Sequence, residues 1–180
     1  MKDNELMLLL KQGNEEAFDI LYEKYRNSVY RYIISLIGSC HEVEDLFHEV
    51  FLSIYKNRKS YAAIAKFKTY LFTVTRSKCI DFLRKKKIYI ASMDEMEVDF
   101  ADPAGNVQEK NVFTAEVIED YNRLLEDFAE ETKTALVLRD IEMMDYKSIA
   151  EIMDRPLGSV KNMIHRGRAK IYNKLRKHYV

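Results

Sequence analysis

The sequence SIAEIMDRPLGSVKNMIHRGR, residues 148–168, carries the strongest structural signal in this chain of 180 residues. Apolar residues recur at helical spacing on both sides of a break between Asp154 and Pro156. We expect Asp145 to cap the first helix, Pro156 to prevent its continuation, and Asp154 to adopt the left-handed conformation in the turn. Ser159 is expected to cap the second helix. The pattern therefore predicts a helix-turn-helix.

The second helix of this pair has an apolar back and a cationic front. The predicted back consists of Val160, Met163, Ile164, Gly167, Ile171 and Leu175, and the front includes Lys161, Asn162, His165 and Arg166. In a DNA major groove, Arg reads guanine and Asn reads adenine, each pairing giving about 1–3 kcal/mol of discrimination. No acid follows Asp154. This favours DNA binding over the alternative, an amphipathic helix with a solvated basic side.

Other residues of this helix have expected roles in packing and in phosphate contact. Lys170 and Lys174 are expected to meet DNA phosphates, which set affinity rather than sequence preference. Gly158 and Gly167 are expected to relieve crowding where helices cross.

Helical patterns also fill the rest of the chain except for one segment. We predict helices over residues 3–12, from the cap Asn14 to Gly38, from His41 through Ile54, and over residues 67–87, 114–128 and 133–142. Residues 88–113 contain scattered acids and no sustained period, which is typical of a partly disordered linker. The predicted fold class is all-α. Two small helical domains, residues 1–90 and 114–180, are joined by an acidic flexible linker, residues 91–113.

The net charge of zero hides a strong segregation of charge along the sequence. Residues 56–87 contain eleven Lys and Arg but one acid, Asp81, and residues 157–180 contain seven Lys and Arg and no acid. Residues 94–131 contain thirteen acids and two basic residues. Two basic segments suggest two surfaces that face polyanions, although solvated helix faces would give the same count.

The composition argues against a membrane protein, a disulfide framework and a metal site. No apolar run approaches the roughly 20 residues of a membrane span, and the first residues do not resemble a signal peptide. We expect a cytoplasmic protein with no membrane insertion. Cys40 and Cys79 are isolated, and two buried thiols are the expected outcome. No catalytic residue, cofactor or metal is predicted.

Four stretches together resemble bacterial RNA polymerase sigma factors of the extracytoplasmic-function (ECF) group. They are NEEAFDILYEKYRNSVYRYI (residues 14–33), EVEDLFHEVFLSIYKN (42–57), FKTYLFTVTRSKCIDFLRKKK (67–87) and DYKSIAEIMDRPLGSVKNMIHRGRAKIYNKL (145–175). The resemblance implies a transcription initiation subunit with two domains. The N-terminal one docks on core RNA polymerase and melts the promoter minus-10 element, and the C-terminal one binds the minus-35 element.

The resemblance also implies roles for individual residues. It places minus-35 contacts at Ser159, Lys161, Asn162, His165 and Arg166. Polymerase docking is expected at Asp45, His48 and Glu49, where an acidic helix start would suit a basic partner surface. Contacts to melted minus-10 DNA are expected from Tyr61, Tyr70, Arg76, Lys78, Arg84 and Lys85. The family usually captures a flipped base in the loop matching residues 57–66, and an anti-sigma factor is an expected partner.

The sequence departs from the family pattern at four places. Tyr70 stands where tryptophan is common, and His48 where glutamine is common. Asp154 replaces a frequent glycine in the turn, and the segment EDFAEET, residues 126–132, lacks the usual proline. The first two changes put individual contacts in doubt, whereas the last two affect backbone detail.

Two other classes of protein compete with this interpretation. A metal-dependent helical enzyme is suggested by the acid-x-x-His spacing of Asp45 and His48, but no second motif of this kind occurs. A stand-alone helix-turn-helix regulator of duplex operator DNA would leave the first basic segment and the predicted docking helix without a role.

Overall fold

The computed structural model describes residues 1–92 and 112–178, and the side chains of residues 1–91 and 117–176. Within these ranges the secondary structure is helical, with no strand, which confirms the predicted fold class. The helices form two packed units, one from each half of the chain. The predicted linker, residues 91–113, lies almost entirely outside the described residues. The domain boundaries at 90 and 114 therefore stay predictions.

Within the described ranges, the first unit has four α-helices and the second unit four more. The first four are α1 (Asp3–Lys11), α2 (Glu16–Ile37), α3 (Glu42–Lys56) and α4 (Phe67–Ser92), with a 3-10 turn at Arg58–Ser60. The others are α5 (Val112–Leu125), α6 (Glu130–Leu136), α7 (Tyr146–Met153) and α8 (Leu157–His178), with a π-helical turn at Val137–Ile141 after α6.

The core of the first unit lies where α2 meets the other three helices. The apolar positions predicted for α3 are all buried: Val43, Leu46, Phe47, Val50, Phe51 and Ile54. Each such side chain contributes about 1.5–3 kcal/mol when fully removed from water. Asn14 also acts as predicted, since its Oδ1 accepts a hydrogen bond from Ala17 N at 3.1 Å just inside α2. Gly38 ends α2 with a positive φ of 82°.

The buried side of α4 is rotated from the predicted one. The sequence pattern assigned Phe67, Leu71, Val74 and Phe82 to one apolar face. Phe67 and Leu71 are buried, but Val74 and Phe82 are only half-buried. Phe72, Thr75 and Cys79 complete the buried side instead. Thr75 can be buried because its hydroxyl donates to Leu71 O at 2.9 Å. Cys79 is buried as expected, whereas Cys40 is half-buried.

The core of the second unit forms between α6, α7 and α8. Leu136, Leu138, Ile149, Val160 and Ile164 are each at most 1% exposed. The helix predicted over residues 133–142 is instead α6 followed by the π-helical turn, in which the backbone widens to i to i+5 hydrogen bonds.

The turn between α7 and α8 has the predicted backbone, with one correction. Asp145 caps α7: its two carboxylate oxygens accept from the Ser148 N–H at 2.8 Å and the Ser148 hydroxyl at 2.9 Å. Asp154 is left-handed, with φ 51° and ψ 51°. The prediction that Ser159 caps α8 is wrong, because α8 begins at Leu157 and Val160 N donates to Pro156 O. Proline suits this position because it has no N–H to leave unpaired.

The two glycines of α8 differ. An added Cβ at Gly167 would lie 2.8 Å from Leu136 Cδ1, so a larger residue there would force the Leu136 side chain to shift. The same expectation for Gly158 is wrong, since an added Cβ would meet nothing within 4 Å.

Candidate nucleic-acid interface

The front of α8 is exposed along its first three turns. All five side chains predicted to contact minus-35 DNA, Ser159, Lys161, Asn162, His165 and Arg166, are exposed. Opposite them, Val160, Ile164 and Gly167 are buried against the rest of the unit. Burial thus fixes the rotation of α8 about its axis and presents the polar side to solvent, as a recognition helix requires.

Most polar side chains on this front make no hydrogen bond or ion pair with other described residues. Among the described residues, no hydrogen bond or ion pair engages the side chains of Asn162, His165 or Arg166, and the Lys161 side chain has only a distant contact with the Tyr146 ring, 6.0 Å from its centroid. Unpaired donors can bond base edges without first breaking an internal contact. The front of α8 is therefore ready for readout in a groove.

Several other cations of the second unit are held by acids of the same unit. Arg155 pairs with Glu131, and Arg168 Nε donates to Asp140 Oδ1 at 3.1 Å. Lys174 Nζ lies 2.8 Å from Asp127 Oδ2. These pairs join α8 and the turn before it to earlier elements of the unit, so part of the basic charge of this unit serves packing.

Lys170 and Lys174, which are expected to meet phosphates, contact the turn between α5 and α6 in the structure. Lys170 Nζ donates to Asp127 O at 3.2 Å, and Lys174 Nζ donates to Leu124 O at 3.0 Å. Both ammonium groups also lie over the Phe128 ring, at 4.4 and 5.4 Å from its centroid. They hold the turn between α5 and α6 against α8, and their expected contact with phosphates stays a prediction.

The two tyrosines predicted to contact melted DNA pack against each other. Tyr61 is only 4% exposed, and its hydroxyl donates to Asn4 Oδ1 at 3.3 Å. Its ring centroid lies 5.2 Å from that of Tyr70, which is half-buried and also near Phe67. Burial raises the pKa of both phenols above its usual value. The ring of Tyr61 belongs to the core in this structure, and its role as a stacking surface stays a prediction.

The four predicted minus-10 cations of α4 do not share one face. Arg76 and Lys78 are two residues apart and therefore point in different directions. Lys78 and Lys85 share a side, being seven residues apart. Lys85 is exposed, Arg84 pairs with Asp81 at 3.0 Å, and Arg76 is half-buried. Contact with all four side chains would need a DNA strand to follow more than one side of α4.

The predicted docking residues lie on the solvent side of α3. Asp45, His48 and Glu49 are exposed, while the apolar side of the helix is buried. Glu49 Oε2 lies 3.1 Å from Lys78 Nζ of α4. The structure thus joins one residue of the predicted docking surface to one of the predicted minus-10 surface.

Sequence reasoning missed the contacts that hold the loop between α3 and α4. Asn4 Nδ2 donates to Ala65 O at 3.1 Å, and Asn4 Oδ1 accepts from Phe67 N at 2.6 Å. Lys11 Nζ donates to Tyr61 O at 2.9 Å. We define these contacts of α1 as the α1 clasp. No local pattern could have revealed it, because its partners lie 50 to 63 residues apart in the sequence.

The described residues show neither a metal-binding cluster nor a membrane-spanning helix. No group of three or more His, Cys, Asp or Glu side chains there could hold a metal ion. None of the described helices is both long and apolar enough to cross a membrane.

Two family descriptions match this sequence, one in each unit. "Sigma-70 region 2" matches residues 21–88, and "Sigma-70, region 4" matches residues 118–171. The chain is 29% identical over 174 residues to the ECF RNA polymerase sigma factor SigW of Bacillus subtilis, with 93% of each chain covered. It is 28% identical over 182 residues to the ECF RNA polymerase sigma-E factor of Haemophilus influenzae, covering 97% of this chain and 96% of the other.

Two solved structures share the fold. CnrH in complex with the cytosolic domain of CnrY superposes with a TM-score of 0.73 at 17% identity, covering 97% of each chain. The sigma factor RpoE of Bartonella quintana, in complex with the anti-sigma factor NepR, also gives 0.73, at 18% identity, covering 88% of this chain and 96% of that one.

These findings converge on one class of protein, built from two helical units with an exposed cationic recognition helix in the second. The order of the matched regions and the full-length relatives narrow the class further. The chain belongs to the ECF sigma factors of bacterial RNA polymerase.

Proposed function

We propose that this chain is a transcription initiation factor that binds core RNA polymerase and directs it to specific promoters. The match to sigma-70 regions 2 and 4, in that order on one chain, carries the proposal. Sigma factors are initiation factors rather than enzymes, and bacterial polymerase works in the cytoplasm, so we place this protein there. The domain assignment follows: residues 1–90 act on polymerase and the minus-10 element, and residues 114–180 on the minus-35 element.

We assign minus-35 recognition to the exposed front of α8. Asn162, His165 and Arg166 are supported by their exposure and by the absence of partners among the described residues. Ser159 and Lys161 flank them on α8 and are also exposed. Ser159 lines a shallow groove with Asn162, Arg166 and the start of α6, which suits contact near the edge of the duplex.

We assign polymerase docking to Asp45, His48 and Glu49 on α3, and minus-10 contacts to a smaller set than the sequence suggested. Lys85 is exposed and Lys78 lies on the same side of α4. Arg84 is also exposed and pairs with Asp81. Tyr70 and the half-buried Arg76 can contribute at the edge of this surface, whereas buried Tyr61 acts through packing.

An anti-sigma factor is the proposed regulator. The CnrH and RpoE structures are both complexes, with the cytosolic domain of CnrY and with the anti-sigma factor NepR. Their fold is shared along most of this chain. A protein that covers the front of α8 or the docking side of α3 would block the proposed activity directly.

Reconstituted transcription tests the proposed function. Core polymerase plus this chain should start transcripts at promoters that core alone ignores, and sequencing those transcripts would identify the promoter elements. Tight binding to duplex DNA by the chain alone, with no initiation in the presence of core, would favour the stand-alone regulator instead.

Arg166→Ala tests the assignment of the recognition surface. Loss of a bidentate base contact should weaken binding of the polymerase complex to its promoter by about 1–3 kcal/mol and relax preference at one minus-35 position. Binding to core polymerase should not change. Arg176→Ala is the matched control, because it removes the same charge from an exposed site ten residues along the same helix. Equal losses in the two variants would contradict base readout by Arg166.

A further inference from the structure

The three arginines of α8 differ in what they bind. The side chains of Arg166 and Arg176 are exposed, and neither forms a hydrogen bond or ion pair with other described residues. Arg168 differs from both, because its Nε donates to Asp140 Oδ1 at 3.1 Å and its Nη2 donates to the same oxygen. An acid thus holds one of two arginines that lie only two residues apart.

The carboxylate that binds Arg168 is itself fixed in place. Asp140 lies on the π-helical turn after α6, and its side chain is only 19% exposed. The Tyr121 hydroxyl of α5 donates to its second oxygen, Oδ2, at 2.8 Å. Burial, followed by this hydrogen bond, raises the pKa of Tyr121, so that the phenol remains a donor at neutral pH. The carboxylate therefore has donors from α5 and α8 at once and can hold Arg168 in one position.

Arg168 nevertheless borders the front of α8. It follows Lys161 by seven residues and His165 by three, which places the three side chains on one side of the helix. The Arg168 side chain remains 50% exposed. Phosphates flank the groove that a recognition helix enters. Without its acid, the Arg168 guanidinium would therefore be free to bind such a phosphate.

Asp140 offers Arg168 the same kind of partner that a phosphate offers. The planar guanidinium binds either oxyanion through paired N–H donors. Replacing Asp140 by a phosphate would gain little, since one charge-assisted hydrogen bond replaces another. It would also bring the phosphate close to the Asp140 carboxylate, and two negative charges repel each other. While it is paired with Asp140, Arg168 neutralises no phosphate and releases no counterion from DNA.

We propose that Asp140 is an internal competitor of DNA phosphate, which holds Arg168 off the DNA backbone and limits sequence-independent binding by the second unit. This inference rests on the proposed function and deepens it, because it concerns regulation of the same surface. Base-edge contacts by the front of α8 then supply a larger share of the affinity. The pair weakens the binding of this unit to DNA of any sequence without removing a donor from the front.

The test measures how the full-length chain binds random-sequence duplex DNA between about 50 and about 200 mM salt, by fluorescence anisotropy. Asp140→Asn keeps the size of the side chain but removes the charge that holds Arg168. It should tighten binding about threefold at the lowest salt, and the plot of log K against log salt should be steeper by about 0.9, because one more phosphate is neutralised. Arg168→Gln should keep the wild-type slope, since the wild-type arginine meets no phosphate. The double variant should lose the gain and return to the wild-type slope.

Glu151→Gln is the control, because it removes one negative charge from an exposed acid of α7 whose side chain has no partner among the described residues. It should leave the salt dependence of binding unchanged. Thermal unfolding of each variant shows whether the second unit remains folded. Should Asp140→Asn fail to fold, Arg168→Gln decides the question by itself.

Three results would overturn the proposal: an Asp140→Asn slope equal to that of wild type, a Glu151→Gln slope as steep as that of Asp140→Asn, or an Arg168→Gln slope lower than wild type by about 0.9. The last would show that Arg168 already neutralises a phosphate. The assay needs neither promoter nor polymerase. Failure of initiation in the reconstituted system and failure of this proposal are therefore observed separately.

Discussion

The two glycines of α8 have different surroundings. Gly167 faces Leu136, where an added Cβ would come within 2.8 Å of a methyl group, whereas the position of Gly158 is open. The sequence predicted crowding at both, because it showed two small residues on a helix but not which neighbours they meet. The difference depends on the rotation of α8 against α6, which only the packed structure defines.

Gly167→Ala should destabilise the second unit. Because Leu136 is fully buried, its side chain has little room to move away, and overpacking of this kind costs about 1–3 kcal/mol. Gly158→Ala, the matched control, should be neutral or stabilise by up to about 1 kcal/mol through helix propensity. Denaturant unfolding of both variants measures the difference. A more stable Gly167→Ala variant would show that Leu136 rearranges freely.

Tyr121 anchors α5 through an acid on the π-helical turn. Its hydroxyl donates to Asp140 Oδ2 at 2.8 Å, and Arg168 binds the same carboxylate. Burial, followed by the hydrogen bond and the charge of Asp140, raises the pKa of Tyr121 far above its ordinary value of 10.0. The folded state therefore keeps a proton that the unfolded chain releases in base.

This raised pKa predicts a loss of stability at high pH. The stabilisation is complete below the unfolded-state pKa of about 10 and declines as the pH rises above it, since only the unfolded chain ionises there. Thermal unfolding of wild type and Tyr121→Phe between pH 8 and pH 11 measures the effect. Wild type should lose more stability than the variant. Parallel curves for the two proteins would contradict the assignment to Tyr121.

At the level of the helices, the local sequence pattern predicted where helices form better than it predicted which side of each helix is buried. The period of α3 gave all six buried residues, and the Asp145 cap and the Asp154 turn followed from their local chemistry. The buried side of α4 was misjudged because Thr75 and Cys79 did not enter the apolar pattern, although each can be buried. The role of α1 was missed because Asn4 and Lys11 look like ordinary surface residues until the loop lies against them.

Asn4→Ala should loosen the loop between α3 and α4. The substitution removes bonds to Ala65 O and Phe67 N, and each backbone group left unpaired costs about 1–3 kcal/mol if it stays out of water. Hydrogen exchange should accelerate in residues 61–67. Asn27→Ala, at an exposed asparagine of α2, is the control and should leave these residues unchanged. Unaltered hydrogen exchange in the Asn4 variant would show that the α1 clasp does not hold the loop between α3 and α4.

Across the whole molecule, the sequence showed how charge is distributed along the chain and the order of the helical segments. It did not show which charged side chains form ion pairs within a unit. The basic C-terminal segment and its helix-turn-helix were predicted correctly. Lys170 and Lys174 nevertheless bind the turn between α5 and α6. Asp140 precedes its partner Arg168 by 28 residues, and Asp127 precedes its partner Lys174 by 47 residues. Counting charges therefore overstates the surface open to DNA.

Because each unit has its own core, we expect a destabilising core substitution to affect only the unit that carries it. Val50→Ala removes apolar volume from the first core, and Ile164→Ala removes it from the second. Ile164→Ala, the larger truncation, should lower the free energy of unfolding by about 2–5 kcal/mol. Hydrogen exchange followed by mass spectrometry should show faster exchange only in the unit that carries each substitution. Acceleration in both units from either variant would contradict separate folding.

The α1 clasp also has a consequence for the order of events on the ribosome. Asn4 is translated 63 residues before Phe67, whose N–H it binds. At roughly 5–20 residues per second, its carboxamide waits about 3–13 seconds for that partner. The loop between α3 and α4 is thus made before the helix that completes its support, and acquires its final shape only when the nascent chain has grown past it.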